Sequence, residues 1–238
     1  MLVNDREDQS AFDKPADDIG IPEGDPVPIG WRDPKAPATV LFTSGTTGPA
    51  KGVLMPNAQM HFYAEQTVQL HRMTREDVYL APYPLFHASA RIHGVGSALV
   101  AGAECVLYDR FSASLFAERV ALSRATVTHF LGSMMTRIMD VPLGEHDLAS
   151  RLRSVMALPT PHLLADRFRE RFGVDNLCEV VGMTESSWTV MSPYGEKRPR
   201  GAAGLAVSRW FDVQVIDPRT DREMMTGEVG ELAVRPRY

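Results

Sequence analysis

The sequence predicts an α/β fold in which a largely parallel sheet is flanked by helices, followed by a small β-rich unit. Between residues 37 and 200, short β-branched and apolar runs alternate with helical stretches, which is the pattern of successive β-α units. Beyond residue 200, polar and apolar residues alternate in runs separated by Gly and Pro, which favours antiparallel strands. With 44% hydrophobic and 23% charged residues, the 238-residue chain has the composition of a globular protein.

The predicted elements follow one another closely in the first half of the chain. An apolar run at 39–42 predicts a buried strand, and Asn57 is a suitable N-cap for a helix at 58–72. The next predictions, in order, are a strand at 77–80, a helix at 88–101, a strand at 104–108, a helix at 113–124 and a strand at 126–131.

The strongest helix signal lies at 161–172. Leu164, Phe168 and Phe172 recur at i, i+4 and i+8, so they share one face. Thr160 is placed to cap the first turn, and Gly173 supplies the C-terminal stop. A strand is predicted next at 176–181, and alternating strands at 211–216 and 230–234.

The first 36 residues differ from the rest and predict an arm or linker. Residues 1–30 contain eight acidic and two basic side chains, four prolines and little apolar periodicity. The predicted organisation is therefore an acidic arm over 1–36, an α/β core over 37–200 and an incomplete β-rich unit over 201–238.

Charge and cysteine content narrow the class of protein. The formal net charge of -5 leaves no basic excess to hold a nucleic acid, so no nucleic-acid partner is predicted. Cys105 and Cys178 have no metal-site spacing and are expected to be buried, reduced thiols. The N-terminus lacks signal-peptide features and no apolar run is long enough to span a bilayer, so a cytoplasmic location is expected.

The strongest chemical signal is a loop that directly follows the strand at 39–42. It reads Thr43-Ser44-Gly45-Thr46-Thr47-Gly48-Pro49-Ala50-Lys51-Gly52. Glycines let backbone N–H groups approach an anion, hydroxyls add donors, and the lysine supplies charge. The residues around Lys51 do not fit a Walker A loop, and the spacing is not that of a dinucleotide-binding Gly-x-Gly-x-x-Gly motif. The pattern therefore predicts a polyphosphate-binding loop of another kind.

A second loop, Gly182-Met183-Thr184-Glu185-Ser186-Ser187, also follows a predicted strand. Ligands of open parallel sheets gather beyond the carboxyl ends of the strands. A carboxylate there is suited to hold a Mg²⁺ ion that bridges phosphates, although a solvated acid would explain Glu185 if it stood alone.

Histidines give weaker signals. His87 ends the segment Pro82-Tyr83-Pro84-Leu85-Phe86-His87, just before a predicted helix, where a capping role competes with a catalytic one. His87 and His93 lack a convincing metal spacing, and His129, inside an apolar strand, is expected to be a satisfied core residue.

Together the three segments resemble the adenylate-forming superfamily of acyl-CoA synthetases, adenylation domains and luciferases. The motifs are T-S-G-T-T-G-P-A-K-G, P-L-F-H and G-M-T-E, in this order, with R-G-A-A-G-L-A and G-E-V-G-E-L-A-V-R-P downstream. L-F-T-S-G-T-T-G, H-F-L-G-S-M-M-T-R-I-M and E-R-F-G-V are most similar to crotonobetaine/carnitine-CoA ligases. The resemblance implies the central part of the family's large N-terminal domain, followed by the start of a barrel-like subdomain.

The resemblance implies an ATP-dependent carboxylate–CoA ligase. A small carboxylic acid would attack the ATP α-phosphate to give acyl-AMP and pyrophosphate, and the CoA thiol would then displace AMP. By the match, Thr43 to Lys51 cradle the β- and γ-phosphates, Thr43 and Glu185 serve Mg²⁺, and Thr184 meets the α-phosphate. His87 borders the acyl pocket with residues 132–134 as a wall, and Val181, Gly182 and Met183 lie at the nucleotide.

The sequence also departs from the family pattern. An aromatic residue usually precedes G-x-T-E and stacks on adenine, whereas Val181 stands here. The family's G-G-A-P segment corresponds to residues 158–161, Leu-Pro-Thr-Pro, and G-x-P-K corresponds to Gly-Pro-Ala-Lys at 48–51.

The family's ribose-binding aspartate and C-terminal catalytic lysine would lie beyond Tyr238. Little turnover is therefore expected from these residues alone, and self-association through uncovered surfaces is expected. A non-catalytic nucleotide- or partner-binding module remains the alternative function.

Overall fold

A five-stranded parallel sheet forms the centre of the molecule in the computed structural model, which describes residues 32–43, 49–196, 198–199 and 201–237. Its strand order is β4-β3-β5-β6-β7, and every neighbouring pair is parallel. The strands are β3 (Val78–Ala81), β4 (Glu104–Leu107), β5 (Val127–Leu131), β6 (Ser154–Leu158) and β7 (Asn176–Cys178). The predicted α/β class with a largely parallel sheet is confirmed.

Helices cover both faces of this sheet. They are α1 (Asn57–His71), a π-helical segment (Ser89–Gly96) that continues into α2 (Ser97–Ala101), α3 (Phe116–Ser123), α4 (Gly132–Asp140) and α5 (His162–Phe172). A short 3₁₀ turn, Glu145–Ala149, lies between α4 and β6. The predicted helix at 88–101 is therefore present but changes helical type.

Successive side chains of β3 belong to two different hydrophobic clusters. Leu80 packs in the larger cluster with residues of α3, α4 and α5, whereas Tyr79 and Ala81 pack in a cluster with Ala90 of the π-helical segment. Successive strand side chains point to opposite faces, so these clusters lie on opposite sides of the sheet.

Helix α5 confirms the predicted apolar stripe and stop. Phe168 and Phe172 are buried and Leu164 packs beside them. Gly173 follows with a φ of 67°, the left-handed conformation that ends helices and favours glycine. The predicted Thr160 cap is wrong, because its hydroxyl donates to the Ala157 carbonyl oxygen and the helix begins at residue 162. Asn57, similarly, is the first residue of α1 and not its cap.

Three smaller sheets are antiparallel. Strand β1 (Pro37–Thr43) pairs with β2 (Lys51–Pro56), and β9 (Ser187–Met191) lies between β8 (Val180–Met183) and β10 (Leu205–Ala206). Strand β11 (Phe211–Ile216) pairs with β12 (Glu231–Pro236), which confirms the antiparallel pairing predicted beyond residue 200.

Two strand predictions need correction. The run at 39–42 is not a buried strand, because it belongs to the β1–β2 hairpin, where Leu41 is buried but Val40 and Phe42 are exposed. The run at 176–181 is divided between two sheets, since β7 pairs with β6 and β8 pairs with β9. Helix α4 and strand β6 were not predicted.

Arg171 of α5 forms an ion pair with the 3₁₀ turn and hydrogen bonds with the end of α4. Arg171 donates to the Asp147 carboxylate at 2.6 Å and to the carbonyl oxygens of Ile138 and Val141 at 3.1 and 2.8 Å. Both charged side chains are buried, and the bond lowers the pKa of Asp147 against the opposing effect of desolvation. Arg171 thus adds donors to the carbonyl groups at the end of α4, where a helix has too few N–H partners of its own.

In the part of the chain that the structure describes, none of the helices has the length and apolar character needed to cross a bilayer.

Arg171→Ala is expected to lower the free energy of unfolding by about 3–5 kcal/mol, because it leaves the Asp147 carboxylate buried without its partner. Urea denaturation measures the change. Arg167→Ala, at an exposed position one turn earlier in the same helix, is the matched control and should change stability by about 0.5 kcal/mol or less. Equal effects of the two substitutions would contradict the structural role of the ion pair.

Candidate nucleotide and acyl site

Two of the predicted site residues lie at the loop end of the β1–β2 hairpin. Thr43 and Lys51 are register partners, and the Thr43 hydroxyl donates to the Lys51 carbonyl oxygen at 3.5 Å. The Lys51 side chain is exposed. The remaining predicted phosphate-binding residues, Ser44, Gly45, Thr46, Thr47 and Gly48, lie outside the described residues. The structure therefore places the two ends of the predicted phosphate loop side by side.

The second predicted segment is the tip of the β8–β9 hairpin. Gly182 and Met183 belong to β8, a turn contains Thr184 and Glu185, and Ser187 begins β9. A Cβ atom at Gly182 would lie 2.1 Å from the Ser187 carbonyl oxygen, so the close approach of the strands requires glycine. The Thr184 side chain is half-buried and that of Glu185 is exposed.

Helix α1 holds this hairpin through three polar side chains. Gln59 donates to the Glu185 carbonyl oxygen, and the Tyr63 hydroxyl donates to that of Thr184, each at 2.7 Å. These residues share a helix face with Gln66, because they occupy positions i, i+4 and i+7.

Both polar ends of the Gln66 side chain form hydrogen bonds with the backbone of Trp188, the second residue of β9. Its amide nitrogen donates to the Trp188 carbonyl oxygen at 2.7 Å, and its amide oxygen accepts from the Trp188 N–H at 3.3 Å. Gln66 is buried, so both polar ends of its side chain need these partners. Since β2 runs directly into α1, one short stretch of chain connects Lys51 to the supports of Thr184 and Glu185.

His87 lies in the loop before the π-helical segment. The Ser89 N–H donates to His87 Nδ1 at 3.0 Å, so the proton of the neutral ring is on Nε2. Partial burial lowers the pKa of His87, which favours this neutral form.

A cavity of about 290 Å³ brings His87 together with the hairpin. Gly182, Met183 and Thr184 line it on one side. Leu131 also lines it, whereas Gly132, part of the predicted wall, packs so closely on Pro159 that a Cβ atom would lie 2.0 Å from the Pro159 carbonyl oxygen. The predicted wall at 132–134 is thus replaced by the end of β5.

Several residues of this cavity were not predicted. Tyr63, His93 and Trp188 line it, and the imidazole of His93 stacks on the indole of Trp188 at 4.3 Å. In the sequence, the support from α1 is indicated only by two glutamines, Gln59 and Gln66, that are seven residues apart and therefore share a helix face. Polar residues at such positions usually have a specific partner.

His129 was expected to be a satisfied core residue, and this is only half right. Its Nδ1 pairs with the Tyr79 hydroxyl, but its Nε2 has no hydrogen-bond partner among the described residues. His129 also lines the cavity.

The other predicted nucleotide neighbours lie near this region. Val181 is half-buried in β8, and its carbonyl oxygen accepts from the Thr189 hydroxyl at 3.2 Å. Leu158, the first residue of the segment that corresponds to G-G-A-P, ends β6 and lines the cavity.

Buried imidazoles extend from the cavity into the core. Desolvation lowers the pKa of His71 and of His93 to about 3, and that of His129 well below its usual value. For His71, the nearby Arg153 guanidinium lowers the pKa further. These rings are therefore neutral at physiological pH.

Comparisons with known proteins agree with this arrangement. A model of the family described as AMP-binding enzyme matches residues 2–237, including most of the predicted acidic arm. Crotonobetaine/carnitine–CoA ligase from Escherichia coli O157:H7 (strain EC4115 / EHEC) is 34% identical over 200 residues, which are 83% of this chain and 38% of that protein. The chain thus spans well under half the length of the curated relatives it matches.

Solved structures show the same fold. ATP-bound MatB from Rhodopseudomonas palustris matches with a TM-score of 0.74 and 27% identity, over 86% of this chain and 40% of that chain. A benzoate CoA ligase from Burkholderia xenovorans LB400 matches with a TM-score of 0.76 over 85% of this chain and 41% of that chain. Its identity of 20% supports the fold alone.

The sheet, the hairpins and these structural neighbours define the fold of the adenylate-forming enzymes. The chain belongs to the AMP-binding enzyme family.

Gln66→Ala is expected to loosen the hairpin, because the Trp188 N–H and carbonyl groups both lose their partner. The cost is about 1–3 kcal/mol for buried groups left unpaired. Hydrogen–deuterium exchange should show faster exchange in β9. Gln69→Ala, at an exposed position of the same helix, is the matched control and should leave β9 unchanged; equal protection in both variants would contradict the support role.

Lowering the pH from 7 to 5 is expected to destabilise the fold. In the folded chain the buried histidines have a pKa below the unfolded value of about 6.5. Between pH 7 and 5 the unfolded chain therefore binds more protons than the folded chain, so the free energy of unfolding decreases as the pH is lowered. The loss is about 2 kcal/mol for each of His71 and His93. Asp77 and Asp147, whose pKa values are lowered, lose their contribution only at more acidic pH. A free energy of unfolding that is flat between pH 7 and 5 would contradict the buried, neutral imidazoles.

Proposed function

We propose that this chain supplies the nucleotide- and acyl-binding part of an ATP-dependent carboxylate–CoA ligase. The observation that carries the proposal is the link from Lys51 through β2 and α1 to the hairpin that bears Thr184 and Glu185. Beside this hairpin lies a cavity that His87 borders. An adenylating enzyme needs a phosphate-binding segment and an acid-sized cavity that are connected through one support, and α1 would be that support here.

In the proposed reaction, the acid's carboxylate oxygen attacks the α-phosphorus of ATP, the bond to the β-phosphate breaks, and pyrophosphate leaves. The thiol of CoA then attacks the acyl carbon, and AMP leaves with the electron pair of the broken carbon–oxygen bond. Both steps depend on positioning and on stabilisation of developing negative charge.

The phosphates are assigned to the two hairpins. Lys51 and the segment from Thr43 to Gly48 would contact the β- and γ-phosphates, with backbone N–H groups and hydroxyls as donors. The Thr184 hydroxyl would donate to the α-phosphate. The flat adenine would lie near Val181 and Gly182, where an aliphatic side chain replaces an aromatic stacking partner.

The residues present fit a magnesium ion. The exposed Glu185 carboxylate and the Thr43 hydroxyl are oxygen donors, the ligand type that Mg²⁺ prefers. When bound, the ion would neutralise phosphate charge. The neutral His87 ring, with its proton on Nε2, would border the carboxylate of the acid and donate a hydrogen bond to it.

Mg-ATP is expected to raise the melting temperature of the chain. Lys51→Ala and Glu185→Ala should each weaken that shift, because each removes a charge that complements the phosphates or the metal. Lys35→Ala and Glu104→Gln change exposed residues elsewhere and are the matched controls. If millimolar Mg-ATP gives no shift in the unsubstituted chain, the nucleotide site is contradicted.

Carboxylate-dependent exchange between pyrophosphate and ATP separates this function from a non-catalytic nucleotide-binding module, which the aliphatic Val181 would favour. Only an adenylating enzyme returns label from pyrophosphate to ATP. The assay is run on the protein as it is produced in its source cells.

A further inference from the structure

The cavity between His87 and Thr184 has an uncharged lining. Tyr63, Tyr83 and Trp188 supply aromatic surface, and none of the described residues that line it is Asp, Glu, Lys or Arg. The two buried imidazoles of the lining, His93 and His129, are held neutral by burial. A second charge on the acid, of either sign, would find no opposite charge there and would lose its hydration.

Ring stacking also reduces the aromatic surface open to a cation. The ring of Tyr83 stacks on the imidazoles of His87 and His129, with centroids 6.2 and 5.0 Å apart, and the Trp188 ring stacks on His93. A quaternary ammonium group needs an open aromatic face, and these contacts already occupy ring faces.

Two of the lining residues each carry a buried polar atom that has no partner within the described residues. These atoms are Nε2 of His129 and the hydroxyl oxygen of Ser187, on residues that are 3% and 1% exposed. The Ser187 backbone has a φ of 58°, a left-handed conformation at the point where β9 begins. Buried polar atoms in native proteins are usually paired, so each unpaired atom calls for a ligand or water.

The cavity is small. Its volume of about 290 Å³ is near the lower limit of ligand pockets, and a cavity of about 150 Å³ already holds benzene. A single ring or a short chain with one substituent fits this space.

We propose that this cavity selects a compact carboxylic acid that has no charge beyond its reacting carboxylate and bears one uncharged hydrogen-bonding substituent. That substituent pairs with Nε2 of His129 or with the Ser187 hydroxyl, which makes these two side chains the specificity determinants. The inference rests on the proposed function and names its substrate class.

Matched acids test the proposal on this chain. Dissociation constants are measured by ligand-observed NMR in the presence of AMP for benzoate, 3-hydroxybenzoate, isophthalate and 4-(trimethylammonio)butyrate. The hydroxylated acid should bind about three- to ten-fold more tightly than benzoate, as one added hydrogen bond predicts. The dicarboxylate and the quaternary ammonium acid should bind more weakly than benzoate.

Substitutions then show which side chain causes the preference for the hydroxylated acid. The ratio of the dissociation constants of benzoate and 3-hydroxybenzoate should fall toward unity in His129→Phe or in Ser187→Ala, each checked for folding by circular dichroism. His71→Phe is the matched control, because His71 is another buried histidine with an unpartnered Nε2 but is not a lining residue of this cavity. If His129→Phe does not fold, His129→Met gives the same comparison.

Equal binding of benzoate and its hydroxylated analogue would overturn the inference. So would tight binding of either charged acid, or a preference that persists in both variants. The Mg-ATP melting shift is recorded on the same samples: a retained shift with no acid selectivity overturns only this inference, whereas loss of both contradicts the proposed function itself.

Discussion

The site depends on hydrogen bonds from one face of helix α1 to the backbone of the β8–β9 hairpin. Gln59, Tyr63 and Gln66 bind the carbonyl groups of Glu185, Thr184 and Trp188, so a helix distant in sequence holds the turn in addition to the turn's own residues. Because α1 begins directly after β2, the same helix also fixes the strand that starts at Lys51. Both parts of the proposed phosphate site are therefore connected through one helix, and such preorganisation is what charge stabilisation requires.

The cavity beside this hairpin combines aromatic rings with neutral imidazoles. His93 lies between Tyr63 and Trp188, with interplanar angles of 5° and 9°, so the ring of a titratable residue is used as packing surface. The Thr67 hydroxyl pairs with its Nδ1 at 2.9 Å. Such a lining binds apolar surface and discriminates by the few polar atoms left unpaired, whereas a charged lining would discriminate by sign.

Local patterns predicted the elements that depend on local forces. The i, i+4, i+8 stripe of α5 and the glycine that ends it are visible in the sequence, as are the alternating strands β11 and β12. Pairing between strands is not local: the apolar run at 39–42 gives no sign that its partner is β2 in a separate hairpin and not the central sheet. The motifs singled out Lys51, Thr184 and His87, whose roles stay predictions, but not the glutamines of α1, whose partners lie more than 100 residues away.

The claim that the two hairpins form one nucleotide site is tested most directly by paramagnetic NMR. Mn²⁺-ATP, in place of Mg²⁺-ATP, broadens the signals of nuclei near the bound metal. The amide signals of Gly52 and Glu185 should broaden together at the same Mn²⁺-ATP concentration, while that of Leu148, in the turn between α4 and β6, should stay sharp. Broadening at only one of the two hairpins, or at neither, would contradict a shared site.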